Sequence, residues 1–151
     1  MIGLEVITYY LSPVTYSEEE TQMEQQTSTT RDAAIRLTMM PRDTNAHGTV
    51  FGGIILSYID VAGGVESIRH TRHNRFVTVA MKEVIFHEPV YIGDLVSFYA
   101  RTVKVGNTSI TIHVDVEAER FGTPGVIVKV TEAEVTFVAI DESGKKIIIK
   151  K

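Results

Sequence analysis

The amino-acid sequence predicts an α+β domain in which an antiparallel sheet wraps around one long helix. Residues 51–68 place apolar side chains with the period of an α-helix, whereas residues 108–118 alternate apolar and polar side chains with the period of a strand. Further apolar runs bounded by turn residues follow the helix. One strand, one helix and then four or five antiparallel strands are typical of an α+β fold.

Length and composition fit a single folded domain. The chain has 151 residues, of which 44% are hydrophobic and 23% are charged, as in ordinary globular proteins. Its formal net charge of −4 disfavours sequence-independent binding to nucleic acid. The lack of cysteine excludes disulfides, thiolate nucleophiles and cysteine-based metal sites.

Residues 1–30 differ in composition from the rest of the chain. Residues 1–11 are apolar and aromatic, whereas residues 15–30 are mainly Glu, Gln, Ser and Thr, which is too polar to bury a core. We predict an extension over residues 1–30, flexible or docked on a partner unless the natural chain starts at Met23, and a domain over residues 31–151. With no apolar run of roughly 18 residues and no basic signal sequence, we expect a cytoplasmic protein that does not enter a membrane.

The domain is expected to begin near Arg31, and the alternation over residues 33–39 predicts a first strand that ends before Pro41. The helix of residues 51–68 has two faces when it is projected at about 100° per residue. Its apolar face consists of Phe51, Ile54, Ile55, Tyr58, Ile59, Ala62 and Val65, and its opposite face of Gly53, Ser57, Asp60, Gly64 and Ser67. We expect the apolar face to be buried along most of the helix.

The remaining elements are predicted as strands. Apolar runs cover residues 76–87, 95–105, 108–118 and 126–140, with a short final run over residues 147–149 after a turn at Gly144. The run 108–118 has one buried and one solvent-facing side. Glu132 and Glu134 interrupt the run 126–140 and indicate a bulge or a face that meets solvent.

The N-terminal end of the predicted helix has features of a catalytic site. Gly52 and Gly53 allow a ligand to approach backbone N–H groups at the positive end of the helix, where a carbonyl oxygen that becomes negative is stabilised. Asp60 lies two turns further, among small residues that leave space for a substrate or for a second backbone. The structural alternative is a solvated or paired Asp60 on a helix face that allows close packing.

Six stretches together resemble the hotdog-fold acyl-CoA thioesterases, specifically the short bacterial acyl-CoA thioester hydrolases. They read Met-Pro-Arg-Asp-Thr-Asn-Ala at 40–46, Phe-Gly-Gly at 51–53, Asp60 with Ala-Gly-Gly at 62–64, Val-Thr-Val-Ala at 77–80, Pro-Val-Tyr-Ile-Gly-Asp at 89–94 and Val-Lys-Val-Gly-Asn-Thr-Ser at 103–109. The resemblance spans roughly residues 31–142. It implies the hotdog fold, with dimers whose sheets join edge to edge, often assembled as a trimer of dimers, that is, a hexamer.

The resemblance also implies roles for residues at the dimer interface. Asp60 is the expected catalytic carboxylate, either a general base on water or a nucleophile on the thioester carbonyl. Asn45 is expected to position water or the thioester oxygen from the other subunit. The N–H of Gly53, with that of Gly52 nearby, is the expected oxyanion donor.

Further positions are expected to bind substrate, each with a structural alternative. His47, where close relatives commonly carry asparagine, could orient Asn45, act as a second base or bond a loop carbonyl. Thr78 and Val79 either line the thioester end of the pocket or pack in the core. The coenzyme A arm is expected on a turn whose alternative is a bare connection: Lys104, Gly106, Asn107, Thr108 and Ser109.

The positive charges at the end of the helix have two interpretations. Arg69, His70, Arg72, His73 and Arg75 either compensate the helix dipole or help to bind the phosphates of coenzyme A. No third ligand accompanies His70 and His73, so a zinc site is not expected.

The sequence therefore favours hydrolysis of fatty acyl-CoA to a free fatty acid and coenzyme A, without a metal or a redox cofactor. One alternative is a hotdog hydratase or dehydratase that would use His47 with Asp60, although Asn45 has no role in that chemistry. The other is a non-catalytic acyl-CoA-binding protein. Such regulators usually carry a DNA-binding module, and residues 1–30 show no basic helix-turn-helix pattern.

Overall fold

One helix and five strands make up the described part of the chain. A computed structural model describes residues 31–149, so the predicted extension over residues 1–30 lies outside the described residues. The elements are β1 (Ile35–Thr38), α1 (Gly52–Thr71), β2 (Phe76–Lys82), β3 (Leu95–Val105), β4 (Ser109–Glu119) and β5 (Ile127–Ala139). A 3-10 turn at Pro41–Asp43 follows β1.

The five strands form one antiparallel sheet in the order β1-β3-β4-β5-β2. Strands β1 and β2 are therefore its two edges, and α1 packs against the strands between them as well as against β2. The predicted α+β architecture, with the sheet around one helix, is confirmed. Within residues 31–149, the helix is not long and apolar enough to cross a membrane.

The core lies between the helix and the inner face of the sheet. Strand β4 supplies Ile110, Ile112, Val114, Val116 and Ala118, and α1 supplies Ile55, Ile59 and Ala62. All of these side chains are buried, which confirms the predicted alternation along β4. Burying an aliphatic side chain of valine or isoleucine size contributes roughly 1.5–3 kcal/mol, so this layer fixes the position of α1.

Gly63 marks the closest approach of the helix to the sheet. A Cβ atom at this position would lie 2.7 Å from the Phe137 ring, well inside van der Waals contact. A side chain at position 63 would therefore collide with Phe137 unless the ring or the helix moved.

A buried ion pair holds the loops that lead to the start of α1. The Asp94 carboxylate accepts hydrogen bonds from Arg120 Nη1 at 2.7 Å and from the backbone N–H of Tyr91 at 3.0 Å. In the same loop, the Val90 carbonyl accepts the N–H of Val50 at 2.8 Å. The segment before the helix is thereby fixed to the sheet.

Several predicted boundaries and faces are wrong. Strand β2 ends at Lys82 rather than near residue 87 because Glu83 adopts a left-handed backbone conformation with φ of 59°. Residues 147–149 form no strand; the neighbouring Lys146 makes only an isolated bridge to Ile140. Phe51, expected on the apolar helix face, precedes α1 as its N-cap and is 58% exposed, whereas Ser67, expected on the opposite face, is buried.

Candidate active site

Asp60 and Thr78 lie together between the helix and the edge of the sheet. The Thr78 hydroxyl of β2 donates a hydrogen bond of 2.5 Å to Asp60 Oδ1. The carboxylate is half-buried, and within residues 31–149 its second oxygen has no hydrogen-bond partner. Asp60 is thus oriented on one side and available on the other, as a general base or a nucleophile requires.

Gly52 and Gly53 form the first turn of α1. The N–H of Phe51 donates to the Asp43 carbonyl at 2.8 Å and that of Ile54 to the Phe51 carbonyl at 2.9 Å. Among the described residues, no acceptor takes the N–H of Gly52 or Gly53. Free N–H groups at a helix start attract negative charge, so this end of α1 can stabilise an oxyanion.

Asn45 is engaged within its own loop. Its Oδ1 accepts the N–H of His47 at 2.8 Å, and its Nδ2 donates to Thr49 Oγ1 at 3.0 Å. An isolated bridge between Thr44 and Val50 closes the loop. In the described part of the chain, the Asn45 amide and the exposed His47 form no hydrogen bond with Asp60, so the structure does not bring these predicted residues together within one subunit.

Val79 lies beside Thr78 at a bulge in the edge strand. The pairing of β2 with β5 shifts register between Thr78 and Ala80, which leaves Val79 as the extra residue. Its side chain is 55% exposed. The alternative of core packing for Val79 is therefore wrong, and the side chain is free to meet a ligand or a second subunit.

The predicted coenzyme A turn lies between β3 and β4. The N–H of Gly106 donates to the Ser109 carbonyl at 2.7 Å, which closes a two-residue turn at Asn107 and Thr108. Lys104 is exposed near the end of β3. The turn lies beside the end of β5, since Ser109 pairs with Val138.

Several apolar side chains on α1, on β2 and in the segments that adjoin them are exposed. They are Phe51, Val61, Ile68, Val77, Val79 and Phe86. The Phe86 ring lies 3.5 Å from the position that a Cβ atom would take at Gly52. Contiguous apolar patches on a protein surface mark interaction or ligand sites. The sequence analysis missed Phe86, and no pattern local to its loop could have placed it beside the helix.

A second polar cluster lies on the outer face of the sheet. His113 Nε2 is 3.2 Å from Asp115 Oδ1 and 3.6 Å from Glu132 Oε2, and these are the only three side chains within residues 31–149 placed to share a metal ion. Lys129 Nζ already donates to Glu132 at 2.8 Å, and this hydrogen bond holds the pKa of Glu132 below its usual value. The Lys129 ammonium group therefore already offsets part of the negative charge of this cluster.

The sequence of residues 47–124 matches the thioesterase superfamily. Over 116 residues the chain is 39% identical to the acyl-CoA thioester hydrolase YciA of Escherichia coli K12, covering 76% of this chain and 87% of that protein. It is 44% identical to an uncharacterized acyl-CoA thioester hydrolase of Zymomonas mobilis, covering 76% of this chain and 75% of the relative.

A solved structure supports the same relationship. The chain superposes on a hexameric hotdog-fold thioesterase of Campylobacter jejuni with a TM-score of 0.73 and 42% identity, covering 78% of this chain and 90% of the other. Sequence and fold therefore agree with the resemblance inferred from the motifs. The chain belongs to the thioesterase superfamily and, within it, to the hotdog-fold acyl-CoA thioester hydrolases.

Proposed function

We propose that the chain hydrolyses fatty acyl-CoA thioesters with Asp60 as the reacting carboxylate. The Asp60–Thr78 contact carries the proposal, because the 2.5 Å hydrogen bond fixes one carboxylate oxygen and leaves the other free. The acid lies on a helix whose first turn presents unpaired N–H groups. A carboxylate and an oxyanion donor are the two components that thioester hydrolysis needs.

The reaction has two possible courses from this geometry. As a general base, Asp60 takes a proton from water while the water oxygen bonds to the thioester carbon; the C–S bond then breaks, and the coenzyme A thiolate takes up the proton. As a nucleophile, Asp60 forms a mixed anhydride and expels the thiolate, and water then cleaves the anhydride. In both courses, the Gly53 N–H stabilises the carbonyl oxygen as it becomes negative.

Helix geometry favours an active site shared by two subunits. Gly53 and Asp60 are seven residues apart, which corresponds to about 10 Å along α1 at a rise of 1.5 Å per residue. An oxyanion donor must approach the carbonyl oxygen to about 3 Å, while the attacking carboxylate contacts the adjacent carbon. We therefore propose that Gly53 and Asn45 of one subunit act with Asp60 of another.

The edge strand β2 is the proposed site of subunit pairing. A free strand edge offers unpaired backbone groups to another strand, and the exposed Val77 and Val79 add apolar surface beside it. Pairing of two β2 edges would join the two sheets and bring Thr78 to the interface. We propose a homo-oligomer built from such dimers, of which the hexameric Campylobacter jejuni relative is an example.

A cavity beside the helix start supports a fatty acyl group as substrate. It has a volume of about 320 Å³, and its lining includes Val50, Gly52, Ile55, Phe86 and Val90. His87 and Glu88 also line the cavity, but the remaining walls are apolar or glycine and suit a hydrocarbon chain. The cavity adjoins the proposed oxyanion donors, so an acyl chain bound there would keep its carbonyl at the first turn of α1.

No observation favours the hydratase alternative. His47 is exposed, and in the described residues only its backbone N–H is fixed, by Asn45. The proposed hydrolysis uses side chains, backbone N–H groups and water. We therefore expect treatment with a chelator to leave turnover unchanged.

The test is thiol release from acyl-CoA esters of increasing chain length. Asp60→Asn should lower kcat by about a thousandfold, within the range of general-base contributions, while the oligomer and thermal unfolding stay unchanged. Glu66→Gln is the matched control, since Glu66 lies on the same helix and also accepts a threonine hydrogen bond. Full activity in a folded Asp60→Asn variant would refute the proposed role of Asp60.

A further inference from the structure

The turn at residues 89–94 holds both ends of the segment that leads into α1. At the start of this segment, the Met39 N–H donates to the Asp94 carbonyl at 3.0 Å. At its end, the Val50 N–H donates to the Val90 carbonyl at 2.8 Å. The two hydrogen bonds clamp the segment to the turn from both sides.

The clamped segment carries or adjoins several of the proposed catalytic groups. Asn45 lies within it, and α1 begins at Gly52, two residues after its end. The Phe51 N–H, just before the first turn of α1, donates to the Asp43 carbonyl at 2.8 Å, so the segment is also tied to itself. The oxyanion donors and Asn45 therefore share one attachment to the sheet, and this attachment does not include Asp60.

The Asp94 carboxylate closes the turn that forms the clamp. It accepts the N–H of Tyr91 at 3.0 Å and the N–H of Phe121 at 3.1 Å. It also accepts a hydrogen bond of 2.7 Å from Arg120 Nη1, which in addition donates to the Pro89 carbonyl at 2.7 Å. One carboxylate and one guanidinium thus join both ends of the turn to the loop between β4 and β5.

Stability alone does not account for a buried pair of charges at this point. The side chains of Asp94 and Arg120 are 3% and 14% exposed, which makes theirs the most buried ion pair of residues 31–149. Removing charges from water is costly, and apolar residues of similar volume often stabilise a fold equally well. Charge-assisted hydrogen bonds also fix direction, which apolar contacts do not.

We propose that Asp94 and Arg120 are positioning residues for the oxyanion step of hydrolysis. Their ion pair fixes the turn, and the turn fixes the segment before α1. That segment sets where the Gly53 N–H and the Asn45 amide meet the thioester carbonyl. In this assignment neither Asp94 nor Arg120 contacts the substrate. The assignment rests on the proposed function, because it requires the oxyanion to lie at the start of α1.

The first test is the kinetics of Asp94→Asn, which keeps the shape of the side chain and removes the charge that holds Arg120. A displacement of about 1 Å at a positioned group can lower a rate about a hundredfold, so kcat for acyl-CoA should fall between about tenfold and a hundredfold. KM should stay within about twofold, since the lost interaction forms only in the transition state. A wild-type kcat would overturn the assignment.

Asp141→Asn is the matched control. Asp141 also closes a turn by accepting backbone N–H groups, from Ser143 at 2.8 Å and from Lys145 at 2.9 Å, and it has no contact with the clamp. This variant should show the kcat and KM of the wild type. An equal fall of kcat in both variants would overturn the assignment, because it would follow from loss of any such carboxylate.

Two inhibitors separate positioning from a general loosening of the site. A trifluoromethyl ketone analogue of acyl-CoA forms a tetrahedral hydrate in place of the thioester carbonyl, whereas an alkyl-CoA thioether of the same chain length has no carbonyl oxygen. Asp94→Asn should weaken inhibition by the ketone about as much as it lowers kcat, and inhibition by the thioether should not change. Equal weakening of both, or of neither, would overturn the assignment.

A double variant separates positioning from stability. Asp94→Asn leaves a buried guanidinium without its partner, which destabilises the fold, whereas Asp94→Asn combined with Arg120→Gln removes both charges. Tm should recover toward the wild-type value in the double variant, while kcat should stay low because the ionic link is still missing. Arg120→Lys keeps a cation beside Asp94 and should retain more turnover than Arg120→Gln. Recovery of kcat together with Tm would make the pair structural only and would overturn the assignment.

A failure of the proposed function would be distinguishable. If the wild type released no thiol from any acyl-CoA, hydrolysis would be refuted, and amide hydrogen exchange would still test the clamp. Asp94→Asn should speed exchange of the Val50 and Phe51 N–H groups about tenfold or more and leave the N–H groups of β4 unchanged, as expected for local opening. Unchanged exchange at Val50 and Phe51, or equally faster exchange throughout the fold, would overturn the clamp.

Discussion

Two acids on helix α1 each accept a hydrogen bond from a threonine of the sheet, yet their surroundings differ. Asp60 accepts from Thr78 of the edge strand β2 at 2.5 Å, and Glu66 accepts from Thr102 of the interior strand β3 at 3.0 Å. The contacts are chemically alike. The hydrogen bond by itself therefore does not identify a catalytic carboxylate.

The surroundings of the two acids differ because one side of α1 faces β3 and the other faces β2; we call these sides the β3 flank and the β2 flank. On the β3 flank, Arg69 pairs with Asp32 and Tyr58 packs on Phe98 with ring centroids 5.7 Å apart. On the β2 flank, Val77 and Val79, which precede and follow Thr78 in the edge strand, are exposed. An acid next to an open apolar edge can meet a substrate and a second subunit, whereas Glu66 serves to hold the helix on the sheet.

Among changes on the two flanks that leave Asp60 itself in place, the largest effect is expected where the β2 edge is closed to pairing. Val77→Lys places a charge on this edge, and charged side chains oppose strand addition. The variant should dissociate, and its turnover should fall by more than about a hundredfold because each site loses its oxyanion donor. Light scattering coupled to size-exclusion chromatography, together with thiol release, measures both effects.

The opposite edge provides the control for this variant. Strand β1 has only four residues, and Arg36 on it donates to Ser97 Oγ at 2.9 Å. Arg36→Val should leave the oligomer and the turnover unchanged. An intact, fully active Val77→Lys oligomer would show that β2 is not the pairing edge.

The second largest effect is expected for the hydroxyl that orients Asp60. Thr78→Val keeps the side-chain shape but removes a hydrogen bond to a charged group, worth about 1.5–3 kcal/mol, so kcat should fall by at least about tenfold. Thr78→Ser should retain activity, and Thr102→Val should affect stability more than turnover. A Thr78→Val enzyme with wild-type kcat would remove Thr78 from the mechanism.

A smaller loss of thiol-release activity, relative to wild type, is expected when two inactive variants are mixed. If Asp60 and Asn45 act from different subunits, Asp60→Asn and Asn45→Ala chains combine to give one intact site in each mixed dimer. Random pairing makes half of the dimers mixed, so activity should recover to about a quarter of wild type. Denaturing and refolding the two variants together, followed by thiol release, measures this recovery; no recovery would indicate that both residues act within one subunit.

The smallest effect is expected at Glu132, an acid on the outer face of the sheet rather than on either flank of α1. Lys129→Met removes the hydrogen bond that lowers the pKa of Glu132, so this pKa should rise toward its ordinary value. A lowered carboxyl pKa stabilises the fold above the pKa of the unfolded chain, and this contribution is lost as the pH falls. Acidification should therefore destabilise the wild type slightly more than the variant.

Carboxyl chemical shifts followed through an acid titration measure this change, and thiol release should stay at the wild-type level. A clear loss of turnover in Lys129→Met would connect the outer face of the sheet to the active site.

Local periodicity predicted the elements that face one core. The alternation along residues 108–118 corresponds to β4 within one residue at each end. A strand with one buried face alternates apolar and polar residues, so its sequence alone indicates which side chains are buried. The end of β2 was not predictable, since it depends on the left-handed Glu83 and on the hydrogen bond of 2.8 Å from the His87 N–H to the Val130 carbonyl. Both are tertiary features.

The site was predictable only in part, for similar reasons. Asp60 and the glycines stood out in the helix pattern, but their chemical roles came from the family resemblance. Phe51 was expected in the core because helical periodicity reports apolar character and not what covers it; it is 58% exposed in the single chain. The His113 cluster depends on the register of β4 against β5, which no single segment encodes.

The contact between Gly63 and Phe137 has a mechanical consequence. Because a Cβ atom at this position would lie 2.7 Å from the Phe137 ring, a larger residue here would displace either the ring or the helix. Gly63 is three positions from Asp60 on the same helix, so a shift of the helix at Gly63 would also move the carboxylate. The position of the Asp60 carboxylate relative to the edge strand therefore depends on the absence of a side chain at Gly63.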